Sequence, residues 1–311
     1  MYRAQVPVKR PFRLDLTARA LQRLGTNVVD VVTADGMYAR ALNHGKLTDV
    51  ICVRQTTAGL LDVEIFGGGG SRMLSTVGRM LGTAVDLRPW DQRVKSIAWL
   101  ERLSRMHRGL RPPRYPTLWE ALVHAIVFQQ ISIHAAGAIM RRLVVGLSKP
   151  AAYQGIELYP FPEPQAILGA SDSALRAAGS SANKAGALKG AAEAVLEGTI
   201  AEARLEQMES ADAILELSKL RGIGPWSAAV VLLRGLGRLN VFPLKDSGAA
   251  GSLKLLSGDA TLDLGALLLQ LGDQRGMLYF HLLIGRLAHR RGEKNDERDG
   301  RRADVFSTTR H

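Results

Sequence analysis

Gly222 and Gly224 enclose one apolar residue, Ile223, and Pro225 follows at once at the head of the apolar run Trp226–Leu233. Glycine tolerates the backbone that a sharp turn between helices demands. Proline suits a first helical position, where its missing N–H has no partner in any case. The pattern predicts a helix over about 209–219, a tight turn, and a second helix over 225–236. Such a turn leaves backbone N–H groups free, and with the helix N-terminus they hold a phosphate without any side-chain charge. A glycine pair after a helix is also a common helix stop, so both readings stand on this segment alone. Asp246 follows 24 residues after Gly222, in Val241-Phe242-Pro243-Leu244-Lys245-Asp246-Ser247-Gly248. It is either a reactive carboxylate or a surface residue capping a helix after Pro243.

Charge favours the phosphate reading. The 311 residues carry 41 Lys and Arg against 29 Asp and Glu, a net charge of +12, which suits a polyanionic partner. Part of the excess sits in a charged C-terminal stretch, 291–311, expected to be a disordered tail that adds sequence-independent DNA affinity. No apolar run is long enough to span a membrane, and the N-terminus does not read as a signal peptide. The single cysteine, Cys52, excludes an internal disulfide and a four-cysteine iron–sulfur cluster, and fits a reducing cytoplasm. The seven histidines are scattered, and His124 and His134 are expected to pack on or flank helices rather than bind zinc.

The chain changes texture along its length. Val28–Val32, Asp49–Val53 and the alternating Leu61–Phe66 read as strands, separated by turn signals at Asp35-Gly36, Asn43-His44-Gly45 and Thr57-Ala58-Gly59. A first helix is expected over about 14–24. The loop Gly67–Gly70 lacks the Lys-Ser/Thr of a phosphate-binding loop and reads as a flexible turn. From about 72 the pattern is helical. Prolines at 112, 113 and 116 mark a boundary, and Thr117-Leu118-Trp119-Glu120 reads as a capping box opening a helix that runs to Gln129-Gln130. Ser132 caps the next helix, over about 133–146. Further helices are expected at about 164–170, 173–178, 182–198, 262–271 and 275–290.

Taken together, Gln129-Gln130-Ile131-Ser132, the Gly222–Gly224 turn with Trp226, and Asp246 in this order resemble the helix-hairpin-helix DNA glycosylase superfamily. Within it, the chain is similar to the bacterial alkylated-base (3-methyladenine type II) enzymes. The resemblance covers nearly the whole chain to about 290. It implies an α+β fold: an N-terminal antiparallel-sheet domain (1–90), a helical domain carrying the hairpin (117–238), and a second helical domain (91–116 with 239–290).

It also implies roles. Asp246 stabilises the oxocarbenium-like sugar and orients or deprotonates water. Trp226 either packs in the core or lines the base pocket. There its indole attracts a cationic purine by about 0.5–2 kcal/mol. Gln129, Tyr279 and Leu283 complete the pocket, where some relatives carry more aromatics than the Val230 and Leu283 found here. Gln130 wedges into the gap left by the extruded nucleotide. Ser132, Arg221, Gly222, Gly224, Ser227, Lys184 and Lys245 contact DNA, although Lys184 and Lys245 read equally as solvated lysines. Carbonyls of Ser218, Leu220 and Ile223 hold a structural Na+ or K+. No redox cofactor or zinc is required.

Trp226 stands where bifunctional relatives carry a Schiff-base lysine, which implies base excision without strand cleavage. The expected protein is therefore a monomeric, cytoplasmic, nucleoid-associated bacterial glycosylase. It acts on duplex DNA carrying 3-methyladenine- or 7-methylguanine-type damage, and has no membrane partner. Ser247-Gly248-Ala249, where the family often has Leu-Gly-Leu/Ile, keeps two alternatives open: a glycosylase for another damaged purine, and a non-catalytic DNA-binding protein of the same fold.

Overall fold

Alternation in Leu60–Phe66 puts Leu61, Val63 and Ile65 on one buried face, and that face is the floor of a five-stranded antiparallel sheet. The computed structural model describes residues 1–44 and 47–290. The sheet is built from β1 (Tyr2–Pro7), β2 (Val31–Val32), β3 (Tyr38–His44), β4 (Leu47–Thr57) and β5 (Leu60–Phe66), in the order β1-β5-β4-β3-β2. Val53 pairs with Val63 and Ile51 with Ile65, so their side chains share the core face. Helices α1 (Leu14–Gln22) and α2 (Arg72–Leu81) cover that face through Leu14, Ala18, Leu21, Val77 and Met80.

The strands depart from the sequence expectation at four points. Only Val31–Val32 of the 28–32 stretch is strand, because the Asn27 side-chain carbonyl accepts the Val29 and Asp30 amides that a ladder would need. Strands β1 and β3 were not expected. Nor was a hairpin inserted in the helical part, β6 (Ala151–Tyr153) with β7 (Ile156–Leu158), which packs against the outer sheet face. The four-glycine loop is a turn around a buried carboxylate. The Gly69 amide donates to Asp49 at 3.0 Å, and a Cβ at Gly67 would collide with the same oxygen.

The helical body comprises α3 (Arg88–Val94), α4 (Ala98–Met106), α5 (Leu118–Val127), α6 (Ile133–Leu147), α7 (Pro164–Gly169), α8 (Asp172–Ala177), α9 (Ala182–Leu196), α10 (Glu202–Glu206), α11 (Ser210–Leu217), α12 (Pro225–Arg234), α13 (Ser247–Ser257), α14 (Leu264–Leu271) and a last helix, α15, over 275–290. Every residue of α5 is buried. It is the axis of one core, packed by α6, α9 and α12. A second core joins α3 and α4 to α13, α14 and α15 through Trp90, Leu100, Leu253, Leu267 and Leu278. Among the described residues no helix is long and apolar enough to cross a membrane. The expected charged tail, 291–311, lies outside the described residues.

Half of the expected capping box forms. Thr117 Oγ accepts the Glu120 amide at 3.1 Å, but the Glu120 carboxylate turns inward to the Arg40 guanidinium instead of back to Thr117. Arg40, on β3, also donates to Asp30 at 2.8 Å, and Tyr38 donates to the same oxygen at 2.7 Å. Arg40, Asp30 and Glu120 are buried, so an ion cluster shut off from water ties the sheet to the head of α5.

Candidate active site

Helix α5 ends at Val127, short of the expected Gln129-Gln130, and the turn between α5 and α6 shapes the site. Phe128 and Gln129 leave the helix, and Gln130 takes a left-handed backbone with φ 56°. Ser132 Oγ then accepts the Ala135 amide at 3.2 Å and starts α6. Lys184, expected at DNA, is instead used within the protein: its ammonium donates to the carbonyls of Val127 at 2.8 Å and Gln129 at 2.9 Å. A cation at a helix C-terminus satisfies carbonyls left without intrahelical partners. Lys184 thus fixes the exit of α5 on which both glutamines sit.

Gln129 reaches across to the hairpin. Its amide donates to the Gly222 carbonyl at 2.7 Å and to Ser227 Oγ at 2.6 Å. Ser227 is 2% exposed, and its hydroxyl accepts from Gln129 at the edge of the cleft. Gln129 still lines the cleft, with its amide committed to the turn. In the turn itself, Gly222 has φ 82°, and a Cβ there would meet the Ala187 Cβ at 2.6 Å. Gly224 caps α12 without a side chain and faces open space. Gly222→Ala is expected to destabilise the protein by about 1–3 kcal/mol in urea unfolding, through strain and that clash. Gly224→Ala should change stability by less than about 1 kcal/mol and act on duplex affinity alone, in a binding titration.

These elements open onto a cleft of about 1110 Å³ between the two helical cores. Asp246 and Trp226 face each other in it. The Trp226 indole N–H donates to Asp246 Oδ2 at 3.1 Å, while Oδ1 accepts the Ala249 amide at 2.8 Å and caps α13. The helix-capping and reactive readings of Asp246 therefore coincide. The cap and the indole fix the carboxylate, and each oxygen keeps a lone pair for another partner. Tyr279 and Leu283, on α15, line the same cleft, as does Val230. Gln130, Ser132, Arg221, Gly222, Gly224 and Lys245 lie along its rim, and Gln130, Ser132, Arg221 and Lys245 are exposed. Lys245 has φ 63°, so with Gln130 and Arg23 it makes three long side chains at the cleft held in the left-handed region.

Several cleft residues were not expected. Arg23, just past α1, reaches into the cleft from the N-terminal domain, its guanidinium 5.1 Å from the Phe128 ring and donating to the Tyr279 hydroxyl at 3.4 Å. His124 stacks on Tyr115 at 4.2 Å. Burial, then Arg23, Arg234 and Arg40, push His124 well below its usual range, so it is neutral at pH 7. No group of three metal-binding side chains occurs among the described residues. At the hairpin the Leu220 carbonyl accepts the Ile223 amide at 3.0 Å, and Ser218 Oγ is buried with no partner.

A glycine turn between two helices, set against a cleft that holds an oriented carboxylate, defines a helix-hairpin-helix protein. The description "HhH-GPD superfamily base excision DNA repair protein" matches residues 123–263. DNA-3-methyladenine glycosylase 2 of Escherichia coli K12 is 30% identical over 231 residues, 73% of this chain and 77% of that protein. A DNA-3-methyladenine glycosylase of Bacillus subtilis is 30% identical over 171 residues, 55% of this chain and 56% of that one. The fold also matches the 3-methyladenine DNA-glycosylase of Archaeoglobus fulgidus, with a TM-score of 0.75 at 22% identity, over 91% of this chain and 98% of that one. The chain belongs to the HhH-GPD superfamily of base excision DNA repair proteins.

Proposed function

We propose that the chain is a monofunctional DNA glycosylase that excises alkylated purines, of the 3-methyladenine or 7-methylguanine type, from duplex DNA. The observation that carries this reading is the Trp226–Asp246 contact at 3.1 Å inside the cleft that the glycine turn borders. The turn's amides and the N-terminus of α12 grip the backbone beside the lesion. Gln130, exposed on its left-handed backbone, fills the gap as the nucleotide swings out. The purine enters against Trp226. As the N-glycosidic bond breaks, positive charge builds on the sugar, and Asp246 stabilises it and takes a proton from the incoming water. The carbonyls of Ser218, Leu220 and Ile223 would hold a Na+ or K+, and the buried, partnerless Ser218 hydroxyl fits such a site. Bound there, such an ion would supply positive charge for a phosphate at the turn.

The position of Trp226 supports release of the base without strand cleavage, because an indole forms no Schiff base. The amine to test is Lys245, exposed at the rim one residue from Asp246. Duplexes each carrying one lesion are incubated with the protein and split into alkali-treated and untreated halves. The reading expects breaks at methylated purines after alkali only, and no borohydride-trapped adduct. Breaks confined to another lesion indicate a different damaged purine as substrate. Tight binding without breaks indicates a DNA-binding protein without catalysis.

A further inference from the structure

Away from the hairpin, a second basic surface borders the cleft. Tyr279, Leu282, Leu283, Arg286, Leu287 and Arg290 are spaced three and four apart and line the cleft as one face of α15. That face turns from a tyrosine and leucines to two half-buried arginines toward residue 290. Arg286 makes no hydrogen bond or ion pair among the described residues. Arg290 Nη1 lies 3.3 Å from His134 Nε2, and since arginine only donates, the ring nitrogen accepts. His134 stands on the first turn of α6, two residues after the cap Ser132. Helix α6 and residues 275–290 together carry five arginines and no Asp or Glu. Asp246 is the one acidic side chain lining the cleft among the described residues, so this surface has no counter-charge of its own. Hydrogen bonds fix the order of the pieces along the rim. The Gly222 carbonyl accepts from Gln129 at 2.7 Å, Gln130 follows, Ser132 starts α6, and His134 meets Arg290. Gln130 therefore stands between the glycine turn and the arginines.

We propose that Arg286 and Arg290, with the first turn of α6, form a second phosphate grip, which holds the arm of a kinked duplex on the far side of Gln130 from the hairpin. The inference rests on reading the cleft as the place where a nucleotide is drawn out of duplex DNA, and it deepens that reading. A side chain wedged into a base step bends the duplex into two arms. Bent DNA resists, and the bend persists only where contacts on the protein offset its cost. The hairpin holds one arm and leaves the other free to straighten. A guanidinium matches two phosphate oxygens with paired N–H bonds, and Arg286 has its whole fork available. The contact with His134 orients Arg290 and leaves the rest of its donors free. The amides that open α6 lack intrahelical partners and add donors beside them. None of these contacts reads a base, so the grip acts on any flanking sequence and weakens with salt.

The test uses the full chain as wild type and in three variants: Arg286→Gln with Arg290→Gln, the charge-retaining pair Arg286→Lys with Arg290→Lys, and Arg72→Gln, which removes an exposed arginine on α2 outside the cleft. Duplexes carry one tetrahydrofuran abasic analogue, placed centrally or displaced so that the arm on one side or the other is cut short. The glutamine pair is expected to bind the central duplex about tenfold more weakly and to lower the slope of log affinity against log salt by about two. The lysine pair and Arg72→Gln should keep the wild-type slope. Shortening one arm should weaken wild type by about tenfold and leave the glutamine pair unchanged, while shortening the arm at the hairpin weakens both equally. An unchanged slope in the glutamine pair, an equal loss of slope in the lysine pair or in Arg72→Gln, or arm penalties that match those of wild type overturns the assignment. So does a wild type without affinity for any of the duplexes. Base release from a methylated duplex is followed in parallel. If no base is released yet the arm-specific loss appears, the glycosylase reading fails and the second grip stands. If base is released and the arm penalties do not differ, the grip fails and the glycosylase reading stands.

Discussion

Asp246→Asn is expected to lower single-turnover base release by about a thousandfold, the scale on which one aligned electrostatic group acts on a developing charge, while duplex affinity changes by less than a few fold. The substitution is chosen because Asp246 has two jobs. Its Oδ1 caps α13 through the Ala249 amide, and asparagine caps as well as aspartate. Its Oδ2 accepts the Trp226 indole N–H, and in asparagine, whose one amide oxygen keeps the cap, Nδ2 stands there as a donor and that contact is lost. The cap and the fold therefore survive, and the negative charge facing the sugar disappears together with the indole contact. Retained activity in the asparagine variant would assign the chemistry elsewhere. An alanine at this position confounds the result, because the cap is lost with the charge.

The second large effect is on stability. Arg40→Ala is expected to cost about 3–5 kcal/mol in urea unfolding, since it leaves Asp30 and Glu120 buried without their counter-charge. The same cluster predicts a pH dependence. Burial pushes the Glu120 carboxyl up, Arg40 pulls it back, Asp30 pushes it up again, and it settles at about 7. In the unfolded chain it titrates near about 4.3. The folded protein therefore binds the extra proton between these values. The stabilisation is complete below about 4.3 and is lost as pH rises through 7. Unfolding free energies measured across this window should fall with pH in wild type, and Glu120→Gln should flatten the slope. The cluster bears on function because it fixes the head of α5, whose other end carries Gln129 and Gln130.

Legibility of this chain divides along physical lines. The hairpin was legible because glycine and proline at Gly222, Gly224 and Pro225 act through local backbone geometry. The caps Thr117 and Ser132 were legible for the same reason: each bonds an amide three residues on. Interactions between distant segments were not. Ser227 and Lys184 look like surface groups ready for phosphate, and only the fold shows Gln129 and the end of α5 occupying them. Glu120 had the right spacing for a capping box, but a buried arginine 80 residues earlier outcompeted the local partner. Arg23 carried no signal, because an arginine at the end of an amphipathic helix reads as solvated, and the rings that hold it lie more than 100 positions downstream.

The central claim is that Asp246 and Trp226 form a hydrolytic base pocket. Its most direct test is to identify the small molecule released from a methylated duplex under single-turnover conditions, with strand integrity followed in the same tube. The account predicts a free methylated purine by mass spectrometry, released at least about a thousandfold faster by wild type than by Asp246→Asn, from a strand that stays whole until alkali is added. Duplex that is bound tightly with no base released contradicts it, as does a strand cut before alkali.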